Sequence, residues 1–189
     1  MELLEQRILS DGKLLPGGIL KVDNFLNHQI DPLLLQEMAR EWYRLFQNDG
    51  VNKILTIEAS GIAAAILTGL EFKCPVVFAK KSRSKNISDK VYQTEIPSFT
   101  HGNTNTVVVS KEYLRPTDRV LLIDDFLATG AALIGLMGLV EQAGATLVGA
   151  GVAIEKRFQG GGDVLRTWDI RVESLARIVS MDDTGIQFG

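Results

Sequence analysis

The sequence predicts an α/β protein with a mostly parallel central sheet flanked by helices. Three observations predict it. Short apolar runs recur without polar alternation, as they do in strands buried on both faces. Segments of helical spacing lie between several of these runs. Finally, Val120 to Ala132 reads Val-Leu-Leu-Ile-Asp-Asp-Phe-Leu-Ala-Thr-Gly-Ala-Ala. That is a buried strand running into two carboxylates, then a turn of small residues, then a helix-compatible segment. The chain has 189 residues, a length that suits one domain over 1–189 with a core of its own. Its 46% apolar content argues against disorder.

The elements follow in order. Asp31-Pro32 reads as an N-cap followed by a first-turn proline. Leu34, Leu35, Met38, Trp42, Leu45 and Phe46 then fall on one helical face, and Asp49-Gly50 ends the helix. Ile54 to Ile57 is the first strand, Ile62 to Leu70 the next helix, and Val76 to Ala79 the next strand. Thr106 to Ser110, Val120 to Asp124 and Leu147 to Ile154 read as further strands. Ala131 to Ala143 is a helix stopped at Gly144. Two regions break the alternation. Lys80 to Asn105 is polar and turn-rich, with Pro97 and Gly102 inside it, and reads as one long flexible loop. Roughly the first 30 and last 35 residues show no clear period. They are expected to pack together as a small hood lobe over the sheet edge.

Composition excludes several function classes. A net charge of −3 gives no electrostatic footprint for nucleic acid. Cys74 is the sole cysteine and sits beside Pro75, so a buried structural thiol is expected and an internal disulfide is impossible. His28 and His101 lie far apart in sequence, which leaves no zinc pattern. Met-Glu-Leu-Leu-Glu-Gln-Arg has neither a basic nor an apolar leader region, and no apolar run reaches the ~18 residues that span a bilayer. A cytoplasmic protein is expected, with no membrane partner.

The residues that carry chemistry cluster at predicted strand ends. Asp124 and Asp125 fall at the carboxyl end of a strand, where ligands sit in open α/β sheets. Two carboxylates there can accept hydrogen bonds from a ribose diol. Ala128-Thr129-Gly130, with Ala131 and Ala132 opening the next helix, lets backbone approach a phosphate at a helix N-terminus. Alone, the two acids would equally fit a solvated acidic turn with one Asp capping the helix. The small-residue turn at this offset favours the ligand site. Neither Gly-x-x-x-x-Gly-Lys-Ser/Thr nor Gly-x-Gly-x-x-Gly occurs, so P-loop and dinucleotide readings lack support.

Glu58-Ala59-Ser60-Gly61 is a second small-residue turn between strand and helix. Ser60 and Gly61 could hold a second anion, a diphosphate, although in isolation an ordinary connection with Ser60 as N-cap is the better reading, and only the Asp124 block on the same edge favours the anion. Lys80, Lys81, Arg83, Lys85 and Lys90 stand against Asp89 in the long loop. They read either as a solvated face or as a flap that closes over the diphosphate. Glu155-Lys156-Arg157-Phe158 follows the Leu147 strand. Lys156 could donate to an exocyclic oxygen of a base and Phe158 could stack on it. A surface lysine and a hinge aromatic would look the same.

The block Leu-Ile-Asp-Asp-Phe-Leu-Ala-Thr-Gly resembles the phosphoribosyl diphosphate signature of type I phosphoribosyltransferases. Four further runs strengthen the resemblance. These are Leu20 to Pro32, the Glu58 to Ala63 turn, Ile-Glu-Lys-Arg-Phe-Gln and Arg-Val-Glu-Ser-Leu-Ala-Arg-Ile. Nearly the whole chain is similar to the bacterial xanthine phosphoribosyltransferases. The resemblance implies a type I phosphoribosyltransferase fold and transfer of phosphoribosyl from phosphoribosyl diphosphate to xanthine. It implies Mg²⁺, bound mainly through phosphoribosyl diphosphate, and a homodimer. Leu20, Asn27 and Lys156 are then base contacts, and Ala128 to Ala132 the phosphoribosyl diphosphate loop. Two alternatives remain at this stage: another purine, or a purine-repressor-like sensor that keeps the site without catalysis. Lys156, a donor, disfavours adenine, whose exocyclic amino group is also a donor.

Overall fold

A computed structural model describes residues 1–81, 90–97, 104–182 and 185–189. In chain order its elements are α1 (Glu2–Asp11), β1 (Lys13–Leu15), β2 (Ile19–Lys21), a π-helical turn (Asp23–Asn27) and α2 (Pro32–Phe46). Next come β3 (Lys53–Ile57), α3 (Gly61–Phe72), β4 (Val76–Ala79), β5 (Val91–Pro97) and β6 (Thr104–Ser110). Then follow β7 (Arg119–Leu127), α4 (Ala131–Gln142), β8 (Thr146–Lys156) and a short 3₁₀ turn (Arg157–Gln159). The chain closes with α5 (Gly161–Thr167), β9 (Val172–Asp182) and β10 (Gly185–Phe188).

Six strands form the central sheet in the order β10-β9-β8-β7-β3-β4. All neighbours are parallel except β10 with β9. The apolar run of β7 divides between the two faces. Leu121 and Ile123 pack into a core with α1, α2 and α3, while Val120 and Leu122 pack with α4, α5 and the β5–β6 hairpin. This two-sided burial explains why the run lacks polar alternation. The predicted face of α2 is buried at Leu34, Leu35, Met38, Trp42 and Phe46, and Leu45 is half-buried against the same core. Asp31 caps α2 by accepting from Leu33 N and Leu34 N at 3.1 and 3.2 Å.

Chain order creates the crevice. From β3 the chain moves outward to β4, and β7, β8 and β9 are then laid on the other side of β3. The switch in direction falls between β3 and β7, where open α/β sheets bind ligands at the carboxyl edge. Pairing of these two strands stops at Leu55 with Leu122, so they part before Asp124.

The structure corrects three expectations. Val120 to Asp124 is only part of β7, because Phe126 and Leu127 continue the pairing with Ile154 and Glu155 of β8. The stretch Lys80 to Asn105 is not one loop. Val91–Pro97 pairs antiparallel with Thr104–Ser110, and Ile96, Val107 and Val109 are buried against the α4 core. Arg83, Lys85, Asp89, His101 and Gly102 lie outside the described residues. Finally, the C-terminal residues do not join the N-terminal ones in a hood. Buried Leu175, Ala176 and Ile178 place β9 in the central sheet, and β10 extends it. The N-terminal β1–β2 hairpin and π-turn reach the carboxyl edge, where Gly18 O accepts from Lys156 and Asn27 donates to Asp125. α1 packs its Leu4 and Ile8 into the core, and the Met1 amine donates to Leu175 O. Among the described residues no helix is long and apolar enough to cross a membrane.

Candidate active site

Asp124 and Asp125 sit side by side in β7, both buried. Adjacent strand residues point to opposite faces, yet hydrogen bonds tie this pair together. Asp125 N donates to Asp124 Oδ1 at 3.0 Å, and Phe126 N donates to Asp125 Oδ1 at 3.0 Å. Asn27 Nδ2, from the N-terminal π-turn, donates to Asp125 Oδ2 at 3.1 Å. Burial holds the Asp124 carboxyl well above the ordinary aspartate range, and the neighbouring Asp125 charge adds to this. The Asp125 amide and the charge of Lys81 pull the other way. Lys81, exposed at the end of the β4 connection, is therefore close enough to act on the crevice electrostatically.

Two strand-to-helix turns, after β3 and after β7, lie at this edge of the sheet. The first is Glu58 to Gly61, whose Glu58–Ala59 peptide is cis. Ser60 occupies the N-cap of α3, but its side chain caps nothing there, so the predicted capping alternative does not hold. A Cβ on Gly61 would lie 3.2 Å from Asp124 Oδ1, 3.4 Å from Ile123 O and closer still to Thr56 Oγ1. Only glycine lets the start of α3 come this near to β7. The second turn is Ala128 to Ala132. Gly130 has φ +88°, in the left-handed region, and serves as N-cap of α4 without a side chain. The amides of the first turn of α4 start at Ala131, and a helix N-terminus favours an anion. Glu58 Oε1 accepts from Lys81 N at 2.6 Å and so ties the first turn to the β4 exit.

Lys156 closes the carboxyl end of β8. Its Nζ lies 5.6 Å from the Phe126 ring centroid and donates to Gly18 O at 3.3 Å. Burial shifts its pKa down from the ordinary lysine value. The aromatic partner of Lys156 is thus Phe126. Phe158 lies in the following 3₁₀ turn with 46% of its surface exposed. Leu20 is buried in the same core cluster as Val22, Phe25 and Leu26. Asn27, Asp125, Phe126 and Lys156 are linked by these contacts at one sheet edge, beside both turns. A separate cleft of about 840 Å³ follows the β4 edge past Phe78 and Tyr113, and none of these site residues lines it.

Sequence reasoning passed over Phe126, Arg166 and the glycines after Gln159, and gave Glu155 no role. Glu155 is fully buried, and Arg166 grips it with two bonds of 2.7 and 2.8 Å. A buried acid beside Lys156 was the available signal, since the Leu147 run was already read as a core strand.

The phosphoribosyl transferase domain model matches residues 21–188. A protein of Finegoldia magna named xanthine phosphoribosyltransferase is 54% identical over 188 residues, covering 100% of this chain and 99% of the relative. One of the same name from Bacillus cereus is 50% identical over 188 residues, covering 100% and 95%. Among solved structures, adenine phosphoribosyltransferase of Trypanosoma brucei matches with a TM-score of 0.77 at 18% identity, covering 97% of this chain and 81% of that one. The enzyme of Giardia lamblia, complexed with 9-deazaadenine, matches with a TM-score of 0.76 at 21% identity, covering 92% and 97%. At such identities these two structures speak for the fold alone. Matched by the domain model over residues 21–188 and by full-length relatives at 54% and 50% identity, the chain belongs to the phosphoribosyl transferase domain family.

Proposed function

We propose that this chain, as a single phosphoribosyltransferase domain over 1–189, transfers 5-phosphoribosyl from phosphoribosyl diphosphate to xanthine. The products are xanthosine 5'-monophosphate and diphosphate. The observation that carries the choice of base is identity of 54% and 50% across the full chain to proteins named for xanthine. Lys156 supports it, because a lysine has donors and no acceptor and so suits a base that presents carbonyls.

In this reading the ribose diol hydrogen-bonds to Asp124 and Asp125. Ala128, Thr129, Gly130, Ala131 and Ala132 take the 5-phosphate, while Ser60, Gly61 and Lys81 face the diphosphate. Leu20, Asn27, Lys156 and Phe158 surround the base. As the C1–O bond to diphosphate breaks, its electron pair leaves with the diphosphate. A base nitrogen then bonds to C1, and its proton passes to the released diphosphate or to water. No side chain attacks covalently, so positioning and electrostatics carry the rate. The hydrogen bond that Asn27 donates to Asp125 supports a site in which the base and the ribose lie side by side.

Mg²⁺ fits the donor set as an oxygen-binding cation beside two carboxylates. Among the described residues no cluster of three or more His, Cys, Asp or Glu would cage a metal, so substrate oxygens would supply most of its ligands. When bound, it neutralises charge on the diphosphate. We further propose a homodimer and a cytoplasmic location. Exposed Ile66 and Leu70 on α3, with Phe78 on edge strand β4, give the dimer an apolar surface to cover. Sedimentation equilibrium tests the dimer. The activity is tested by following ultraviolet absorbance of xanthine mixed with phosphoribosyl diphosphate, Mg²⁺ and the protein. Conversion to the nucleotide is expected, and an unchanged spectrum counts against the reading.

A further inference from the structure

We infer that the buried Glu155–Arg166 ion pair is a positioning device that fixes the Ala128–Gly130 turn through α5. The inference rests on the assignment of that turn to the 5-phosphate. Glu155 is the penultimate residue of β8 and has no exposed surface. Its carboxylate accepts two bonds from Arg166, at 2.7 and 2.8 Å, and one from Ser174 Oγ at 2.6 Å. Arg177 Nε adds a second cation at 3.6 Å. Burial alone would raise the Glu155 pKa, but these partners outweigh it and hold the group ionised. A carboxylate buried this fully is costly unless its partners are held in place, and replacement by apolar residues is often neutral for stability.

The contacts trace a positioning role. Arg166 belongs to α5, a seven-residue helix too short to fix its own position. Gly162, in its first turn, packs so tightly on Glu155 Oε1 and Arg166 Nη1 that a Cβ has no room. Gly161, one residue earlier, donates its N–H to Ala128 O at 3.1 Å. A Cβ on Gly161 would collide with the Thr129 carbonyl carbon, Ala128 O and Gly130 N. Gly130 in turn comes to within 3.4 Å of Gly161 Cα and O, measured from where its own Cβ would be. An unbroken path therefore runs from Glu155 through Arg166 and Gly162 to Gly161, and from there to the backbone of the turn. Neither Glu155 nor Arg166 is among the residues proposed to hold substrate, so both are positioning residues. A planar guanidinium held by two bonds fixes the rotation of α5 as well as its distance, which a single point charge does not.

The test compares the full-length wild type with Arg166→Lys and Gly161→Ala. Arg166→Lys keeps a cation beside Glu155 and removes the two-pronged bond. Gly161→Ala leaves the ion pair intact and forces a methyl into the turn. Affinity for phosphoribosyl diphosphate with Mg²⁺ is read by calorimetry, and KM for both substrates by steady-state kinetics. Each variant should weaken phosphoribosyl diphosphate roughly tenfold, as a displaced phosphate turn would, while the xanthine KM moves about threefold or less. A purely structural pair would lower the fraction of folded protein and leave the affinity of that fraction unchanged. That result in Arg166→Lys overturns the inference. Should Arg166→Lys not fold, unchanged affinity in Gly161→Ala overturns it instead. A wild type that binds no phosphoribosyl diphosphate overturns the turn assignment and this inference together. Wild-type binding matched by both variants overturns this inference alone.

Discussion

Asp124 works against the fold that holds it. Its carboxyl is raised well above the ordinary range, first by burial and then by the Asp125 charge. A group protonated more readily in the folded state stabilises that state at low pH. That stability is lost as pH rises from the unfolded value of about 3.9 through the raised folded value. Asp124→Asn should therefore melt at a higher temperature than wild type at neutral pH, and the gain should vanish toward about pH 4. Thermal unfolding across this range checks the sign. The same substitution with Asp125→Asn should nearly abolish turnover. Two lost charged hydrogen bonds at ~1.5–3 kcal/mol each correspond to roughly a hundredfold to ten-thousandfold loss in phosphoribosyl diphosphate affinity. Calorimetry on the folded double variant with unchanged affinity would remove the diol role. Gly130→Val must hold a branched residue at φ +88°. It should weaken phosphoribosyl diphosphate and the nucleotide product alike, whereas a change confined to xanthine would mean the loop is misassigned. Lys156→Ala should raise the xanthine KM roughly tenfold to a hundredfold, the worth of one charged donor at ~1.5–3 kcal/mol. A loss of phosphoribosyl diphosphate affinity with unchanged xanthine KM would move Lys156 to the diphosphate side.

Elements with one regular period were legible from sequence. α2 announced itself through Asp31-Pro32 and its apolar spacing, and the cap is present with two backbone donors. Asp31→Ala should cost about 1 kcal/mol of stability, seen as a lower melting temperature with site affinities unchanged. β9 stayed hidden because its inward residues are mixed. Ser174 and Arg177 contact the Glu155 carboxylate among buried Leu175, Ala176 and Ile178, so the run shows neither a continuous apolar stretch nor strict alternation. β5 was hidden for a related reason. Val91–Pro97 carries Gln93, Thr94 and Glu95 among its residues, and only its pairing with β6 and packing on α4 make it a strand. α1 lacked a strong apolar stripe, and its place comes from two buried residues and the tie to β9. Tertiary contacts decided these elements, and a local reading of the chain does not contain them.

At the scale of the molecule, the site is a product of strand order. Asp124 and Gly61 lie far apart in sequence and meet because β7 returns beside β3 after β4 has been laid on the far side. The acids and both turns were legible, since each is a local strand-to-helix pattern. The approach of Asn27 to Asp125, the Phe126 ring under Lys156 and the α5 glycines against the Ala128–Gly130 turn were not, because each joins segments whose closeness only the fold creates. The central claim is that this site joins phosphoribosyl to a base rich in carbonyls. The most direct measurement incubates the protein with phosphoribosyl diphosphate, Mg²⁺ and an equimolar mixture of xanthine, guanine, hypoxanthine and adenine, and identifies the nucleotides by mass. Xanthosine monophosphate should accumulate first, with diphosphate released in equal amount and adenosine monophosphate not formed. Adenosine monophosphate as the main product, or no nucleotide at all, would contradict the account.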